Sequence, residues 1–404
     1  MTGGRGADAD DLKGRAAAAV DAAAPRLIEL SDYIHDHPEL GHREVLAQAA
    51  LCRALRELGF TVAEGVADLP TSFRADLRGG RDGPAVAFLA EYDALPDIGH
   101  GCGHNLFGAA AVGAGAAMAA VLPDLAGAAV VLGTPAEEVP PAAKGLMMER
   151  GAFAGVDVAL IMHGGDRTTT GAGSLAVEAL DFEFSGRTAH ASKYPELGIS
   201  ALDAACLTMH AIEILREHVR SDVRIHGIVT DGGRAPNIVP ERAALRYYVR
   251  ALDSAYLDEV VARVKCCARG GALATGAGVD VKTAQRIENK LLLPTLDALL
   301  LKNAAAAGAP QVMTPEAALG STDFGNVTQR LPGSTLKMAI VPENTPSHTR
   351  EWAAAAKSDA GHRAVLCAAK ALAWTAIDLL TTPDLLPKVK DEHAARARRP
   401  GGGR

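Results

Sequence analysis

Four short segments of the sequence carry side chains of the types that bind metal ions or move protons. They are Gly-Cys-Gly-His-Asn at 101–105, Thr-Pro-Ala-Glu-Glu at 134–138, Met-His-Gly-Gly at 162–165 and Ser-His-Thr at 347–349. Thiolate, imidazole and carboxylate groups suit borderline metals such as zinc, and flanking glycines permit tight backbone geometry. Each segment alone is more typical of a turn or a solvated loop, so a metal site is predicted only if the fold brings them together.

The individual residues suggest a division of roles. Cys102 and His104 are two residues apart and can approach one ion. Glu137 and Glu138 are adjacent, and neighbours in an extended chain point to opposite sides. One carboxylate could therefore hold a metal while the other faces a substrate as general base. His190, in the segment 186–192, has no companion ligand nearby, which favours a hydrogen bond to a developing oxyanion.

The elements that must position these residues are short apolar strands. Apolar runs at 85–89, 128–132, 158–162 and 336–341 are typical of buried strands, and helical patterns lie between them. This alternation predicts an α/β fold with a mostly parallel central sheet. Reactive residues collect beyond the carboxyl ends of such strands. Because each candidate segment follows a predicted strand, one sheet edge could bring them together.

Residues 175–287 follow a different pattern, with elements in the order β-α-β-β-α-β. This order is the ferredoxin-like arrangement and predicts an inserted α+β domain. The catalytic domain would then be discontinuous, at 9–174 and 288–392. The ends, 1–8 and 393–404, are predicted to be flexible tails.

Composition limits the possible functions of the 404-residue chain. The formal net charge of −7 and an aromatic content of 4% argue against nucleic-acid binding, which needs basic faces and stacking rings. The apolar run at 106–122 is interrupted by glycines and is too short for a membrane span. The sequence offers no signal-peptide core, and its six cysteines form no secreted framework. We therefore expect no membrane partner and a cytoplasmic location.

With these residues in view, the chain resembles metallopeptidase family 20 in its amidohydrolase branch, nearest to the aminobenzoyl-glutamate hydrolase-like and β-alanyl-lysine dipeptidase-like group. The resemblance covers nearly the whole chain. Its markers, besides the segments at 101–105, 135–138 and 186–192, are His-Pro-Glu-Leu at 37–40, Glu-Tyr-Asp-Ala-Leu-Pro at 91–96, Pro-Asn-Ile-Val-Pro at 236–240 and the segment 320–327. So many ordered motifs make coincidence very improbable.

The resemblance implies a role for each candidate residue. It implies five metal ligands: Cys102, His104, Glu138, His163 and His348. It places Glu137 at the general base and His190 at the histidine that contacts the substrate or its oxyanion, in the same protomer or a neighbouring one. Asn237 lies in a segment that, in relatives, helps complete the site. Independently of the resemblance, Arg234 and Arg187 are candidates to bind a substrate carboxylate, with solvated surface charges as the alternative. The fold implied is a zinc-exopeptidase-type catalytic domain with a ferredoxin-like lid that carries a homodimer contact.

The expected function is hydrolysis of an amide bond by metal-activated water. Five ligands exceed what one four-coordinate catalytic zinc uses, so two divalent ions are expected. Zinc is favoured by the thiolate and imidazole ligands, with manganese, cobalt or nickel as alternatives. The expected substrates are N-acyl amino acids, aminobenzoyl-glutamate-like conjugates or dipeptides. Two alternatives on the same fold stay open: an amide-forming acyl-transfer enzyme, and a metal-binding protein without turnover.

Overall fold

The computed structural model describes residues 8–315 and 320–398. The strands are β1 Thr61–Glu64, β2 Phe73–Arg78, β3 Arg81–Ala90, β4 Ala126–Gly133, β5 Val158–Gly165, β6 Ala176–Ser185, β7 Arg224–Asp231, β8 Arg242–Ala251, β9 Gly278–Ile287 and β10 Gly333–Ala339. The helices are α1 Ala9–Asp36, α2 Val45–Glu57, α3 His104–Ala119, α4 Ala143–Glu149, α5 Ala201–Leu215, α6 Ser254–Thr275, α7 Pro294–Ala306, α8 Phe324–Thr328, α9 Arg350–Ala355, α10 Asp359–Thr381 and α11 Leu385–Ala397.

The described chain divides into two compact units. The first is built from 8–173, 291–315 and 326–398, and the second from 174–290 and 320–325. The sheet of the first unit has six strands in the order β1-β2-β4-β3-β5-β10. Strands β4, β3, β5 and β10 run parallel to one another, and β2 is antiparallel to both of its neighbours, β1 and β4. The predicted α/β class with a mostly parallel sheet is confirmed.

Helix α3 lies at the centre of the first unit and is buried along almost its whole length. It packs against α1, α10 and the strands of the sheet. Small side chains make this possible: a Cβ added at Gly113 would lie 2.7 Å from the Cβ of Ala369 and 3.0 Å from Leu27. The alanine and glycine content of 106–122 thus reflects close helix packing, as in other protein interiors.

Helix α10 is the one helix in the described residues that is long and apolar enough to cross a membrane. Its most apolar stretch is, however, 67% buried inside the protein, against α1, α3 and α7. A core helix of this kind is weak evidence for a membrane span.

The second unit has the predicted chain order β6-α5-β7-β8-α6-β9. Its four strands form an antiparallel sheet in the order β7-β8-β6-β9, and α5 and α6 pack on it. The apolar core includes Phe182 and Leu245 from the strands and Val260 and Val264 from α6. This ferredoxin-like topology confirms the predicted inserted domain as a fold.

Three details differ from the sequence prediction. Strands β1 and β2 were not predicted, because Thr61–Glu64 is largely exposed and Phe73–Arg78 mixes apolar with charged residues. The carboxyl-terminal tail was predicted from 393, but α11 continues to Ala397 and His393 is buried against Thr328. Residues 320–325 group with the second unit, since Leu175 N–H donates to the Gly320 carbonyl and Arg250 to Ser321. The rest of the predicted tails, 1–7 and 399–404, lies outside the described residues.

Candidate metal centre and active site

The carboxyl ends of the four parallel strands carry the predicted site residues of the first unit. Strand β3 leads into the segment with Cys102 and His104, and β4 leads directly into Glu137 and Glu138. His163 is among the last residues of β5, and His348 follows β10. Because these strands are parallel neighbours, their carboxyl ends lie at one edge of the sheet. The topology therefore brings together side chains that are far apart in the sequence.

Two overlapping groups of potential ligand atoms result. The ligand atoms of Cys102, Glu138 and His348 all lie within 4.8 Å of one another, as do those of His104, Glu137 and Glu138. Glu138 belongs to both groups. Its Oε1 atom is 3.4 Å from His348 Nε2 and 3.9 Å from His104 Nε2. A carboxylate in this position can serve two neighbouring cations.

His163 belongs to neither of these groups but contacts the first one. Its Nε2 atom is 3.7 Å from the sulfur of Cys102. Its Nδ1 atom is 2.7 Å from the Gly164 carbonyl oxygen, which fixes the ring if Nδ1 carries the proton. Burial lowers the pKa of His163 to about 4, so the ring is neutral and Nε2 is free to bind a metal.

His104 is oriented by a buried carboxylate. Its Nδ1 atom is 2.9 Å from Asp93 Oδ1, and the other oxygen of Asp93 accepts the backbone N–H of Glu138 at 3.0 Å. Asp93 therefore holds two members of the centre at once. Burial disfavours the Asp93 carboxylate, yet the charge and hydrogen bond of His104, the Glu138 N–H and the charge of Lys144 together outweigh burial, and the pKa of Asp93 is lowered. Asp93 thus stays ionised and fixes His104 with Nε2 turned towards the centre.

The loop that carries Glu137 and Glu138 is anchored on both sides. Thr134 donates its backbone N–H to the Ala90 carbonyl at 2.8 Å, and Ala136 donates its own to Glu44 Oε1 at 2.8 Å. Ala136 has a left-handed φ of 52°, which sets the sharp turn before the two glutamates. Gly133 is required at the strand end, since a Cβ there would lie 2.1 Å from the Phe73 ring.

The donor set fits a metal centre. The buried atoms His104 Nε2 and Glu138 Oε1 have no hydrogen-bond partner among the described residues, and such orphaned groups are costly unless an ion satisfies them. Burial raises the pKa of the Cys102 thiol to about 12. A cation would reverse this, because a coordinating thiol loses its proton. Thiolate, imidazole and carboxylate together suit zinc and related divalent ions.

The charges of the neighbouring side chains also fit two divalent ions. The site holds four carboxylates, those of Glu91, Asp93, Glu137 and Glu138, together with the Cys102 sulfur and the ammonium of Lys144. If bound cations held Cys102 as thiolate and the histidines neutral, five anionic groups and one cationic group would leave a net charge of −4. Two divalent cations neutralise that charge.

Sequence reasoning assigned no role to Asp93, Glu91, Lys144 or Glu44, although all four touch the site. Asp93 and Glu91 lie in a segment that was noted as a family marker. Their spacing of two residues directly after the buried strand β3 was an available signal, because alternate residues share a side. The sequence around Lys144 and Glu44 offered no such signal, since the contacts of these two residues are with residues distant in sequence.

The other predicted site residues lie in the second unit. The segment around His190 pairs with the segment around Asn237: Ala191 donates its N–H to the Asn237 carbonyl at 3.0 Å. His190 Nδ1 lies 3.4 Å from the Ser192 backbone nitrogen. His190, Arg234 and Asn237 are largely exposed within this unit. Their predicted roles in substrate and oxyanion binding stay predictions.

Replacing Glu44 tests how the glutamate loop is held. Glu44→Ala leaves the buried Ala136 N–H and Thr71 hydroxyl without their acceptor, at a cost of roughly 1–3 kcal/mol for each group. We expect a lower free energy of unfolding in urea and a lower kcat in the folded variant. Thr71→Val is the control: it removes one bond to Glu44 but leaves the loop contact, so it should lose stability with little change in kcat. An unchanged kcat in folded Glu44→Ala would contradict a positioning role.

Comparison with known proteins finds relatives over almost the full chain, in the family that the sequence motifs resemble. Residues 170–272 match the family described as Peptidase dimerisation domain. The chain is 36% identical to the Xaa-Arg dipeptidase of Mus musculus, covering 96% of this chain and 93% of the relative. It is 30% identical to a p-aminobenzoyl-glutamate hydrolase polypeptide of Escherichia coli, covering 93% of each. A Bacillus subtilis structure described as a dinuclear metal binding peptidase from the M20 family superposes with a TM-score of 0.66 at 22% identity, covering 90% of this chain and 99% of the other.

Proposed function

The chain belongs to the M20 peptidase family and is an amide-bond hydrolase, and on that premise we propose that it cleaves dipeptides with a basic carboxyl-terminal residue at a two-metal centre. The observation that carries the proposed chemistry is the convergence of Cys102, His104, Glu138 and His348, with Glu137 beside them. The substrate class is supported by the full-length similarity to an Xaa-Arg dipeptidase. Aminobenzoyl-glutamate-like conjugates are the second candidate, supported by the Escherichia coli relative.

The residues that would hold the two ions are the five predicted ligands: Cys102, His104, Glu138, His163 and His348. When bound there, divalent cations would supply polarisation of the scissile carbonyl and a lowered pKa of water near neutral pH. Zinc is the proposed ion, with manganese, cobalt or nickel as alternatives. The superposed Bacillus subtilis protein is itself described as a dinuclear metal binding peptidase.

Glu137 acts in this proposal as the general base. Its carboxylate accepts the proton of the attacking water and transfers it to the leaving amine, while the role of Glu138 is to bind metal. Asp93 maintains His104 in one orientation and fixes the Glu138 backbone, so the base and the ligands keep their spacing. His190 is proposed to donate a hydrogen bond to the oxyanion, and Arg234 and Asn237 to bind the substrate's carboxylate end.

A substrate panel tests the proposed function. Metal-reconstituted protein would be incubated with dipeptides ending in arginine or lysine, with β-alanyl-lysine, with aminobenzoyl-glutamate and with hippurate, and cleavage would be followed by mass spectrometry. We expect hydrolysis of the basic dipeptides, lost in Glu137→Gln. Cleavage of aminobenzoyl-glutamate alone would favour the second candidate. Bound metal with no cleavage of any compound would favour a narrow specialised substrate or one of the two alternatives, amide formation and metal binding without turnover.

We also propose a homodimer formed through the second unit, because that unit matches a dimerisation domain. The edge strand β7 exposes Ile228 by 62% and Val229 by 45%, whereas the opposite edge β9 carries charged Asp280 and Lys282. An exposed apolar edge is a template for pairing with another chain. The cytoplasmic location predicted from the sequence stays a prediction.

Charging this edge should separate the two protomers. Ile228→Asp combined with Val229→Asp places two carboxylates in the proposed interface, where burial of unpaired charge is strongly unfavourable. We expect the mass from light scattering to halve. Leu273→Asp is the matched control, since Leu273 is 85% exposed at the end of α6 and lies outside β7. A dimer that survives the double substitution would place the contact elsewhere.

A further inference from the structure

A fully buried ion pair lies against the metal centre. Lys144 Nζ is 2.6 Å from Glu91 Oε1, and the two side chains are 0% and 1% exposed. Glu91 directly follows β3, and Lys144 is in the first turn of α4. Burying two charges is costly, so such a pair is weak evidence for a contribution to stability alone.

The second oxygen of Glu91 is the unusual one. Glu91 Oε2 is buried and has no hydrogen-bond partner among the described residues. It lies 3.5 Å from His104 Nε2, an atom that also lacks a hydrogen bond within the described part of the chain. His104 thus has a carboxylate at each ring nitrogen: Asp93 at Nδ1 and Glu91 at Nε2. A buried carboxylate oxygen that lacks a hydrogen bond and faces an equally unbonded imidazole nitrogen fits a cation bound beside both atoms.

We propose that Glu91 is a further residue of the metal centre, which raises the affinity for the cation at His104, and that Lys144 is the positioning residue that holds it. This rests on the proposed function. Glu91 is not in either group of atoms within 4.8 Å, so we assign it to the surroundings of the ligands and not to the ligands themselves. Its negative charge acts on the cation from beside His104, while Lys144 stops the carboxylate from rotating onto the ion.

The two partners should therefore affect metal binding differently. Glu91→Gln keeps the shape but removes the negative charge, and loss of such an outer group typically weakens metal binding about 10- to 100-fold. Lys144→Met removes a positive charge that repels the bound cation, so metal affinity should stay the same or rise. A pair with only a structural role would give the same change in both variants.

The experiment is a zinc titration of metal-free protein in competition with a chromophoric chelator. Far-UV circular dichroism and thermal melting would verify the fold of each variant before titration. Asp378→Asn is the matched control, because Asp378 forms a 2.7 Å ion pair with Lys13, which joins α10 to α1 in the same unit. We expect a loss of about 10- to 100-fold for Glu91→Gln and none for Lys144→Met or Asp378→Asn.

Wild-type affinity in folded Glu91→Gln, or equal losses in Glu91→Gln and Lys144→Met, would overturn the proposal. If Glu91→Gln does not fold without metal, the double variant with Lys144→Met removes both charges together. The double variant should still bind zinc more weakly than the wild type, because it lacks the carboxylate oxygen that lies 3.5 Å from His104 Nε2. Wild-type affinity in the double variant would also overturn the proposal. A wild-type protein that binds no metal would instead refute the proposed function.

Discussion

Replacing Glu137 with glutamine should lower kcat by about 10²- to 10⁴-fold while the protein keeps its metal. The amide has nearly the shape of the carboxylate but cannot accept the proton of the attacking water. KM should change little, because the base acts in the transition state. The measurement is steady-state hydrolysis of the best substrate, with metal content determined by mass spectrometry on the same samples.

This measurement distinguishes a base from a ligand. Glu137 lies within 4.8 Å of the ligand atoms of His104 and Glu138, so it could itself bind an ion. Parallel loss of metal and activity in Glu137→Gln would show that it is a ligand. Retained metal with unchanged kcat would remove it from the mechanism altogether. Only a loss of turnover in Glu137→Gln with full metal occupancy identifies Glu137 as the general base.

Replacing Glu138 with alanine should have the opposite signature, a loss of metal and activity together. Among the described residues, Glu138 is the one shared by the two groups of ligand atoms, so its removal takes an oxygen from both. Cation catalysis supplies several kcal/mol, and each 1.36 kcal/mol is about tenfold in rate. We therefore expect kcat to fall by more than about 10³-fold and the metal content to drop towards zero.

The control for Glu138 is Glu149→Ala, a substitution of an exposed glutamate at the end of α4. It changes the net charge equally and should leave metal content and kcat unchanged. Loss of one ion with the second retained in Glu138→Ala would show that only one group depends on this carboxylate. Full retention of both ions would contradict the assignment of Glu138 as a shared ligand.

The sequence was sufficient to predict the parts of the fold that have strong apolar patterns. Strands β3, β4 and β5 are buried on both faces, so they appear as continuous apolar runs. Most candidate residues of the first unit could be placed because they lie at or beyond the end of such a strand, whereas His348 follows the less apolar β10. Strands β1 and β2 have no comparable pattern, so the sequence does not distinguish them from loops. Helix α11 is rich in charged residues, so the sequence does not distinguish it from a tail.

The surroundings of the metal ligands were harder to predict, for a physical reason. Glu44 contacts Ala136 across 92 positions of sequence, and Lys144 contacts Glu91 from helix α4. In a single sequence both look like ordinary charged residues. Buried charges of this kind become apparent only when the fold excludes water from around them. The ligand types reveal the chemistry, whereas the residues that orient the ligands are visible only in three dimensions.

The burial of α3 has a further consequence for how the centre responds to thermal fluctuation. His104 is the first residue of this helix, whereas His348 is half exposed on a loop after β10. Amides in a helix packed on all sides exchange with solvent only when the whole unit opens, while loop segments open locally at little cost. The two sides of the centre therefore differ in kinetic lability. His104 begins a helix that is buried along almost its whole length, whereas the His348 segment is exposed enough to open locally.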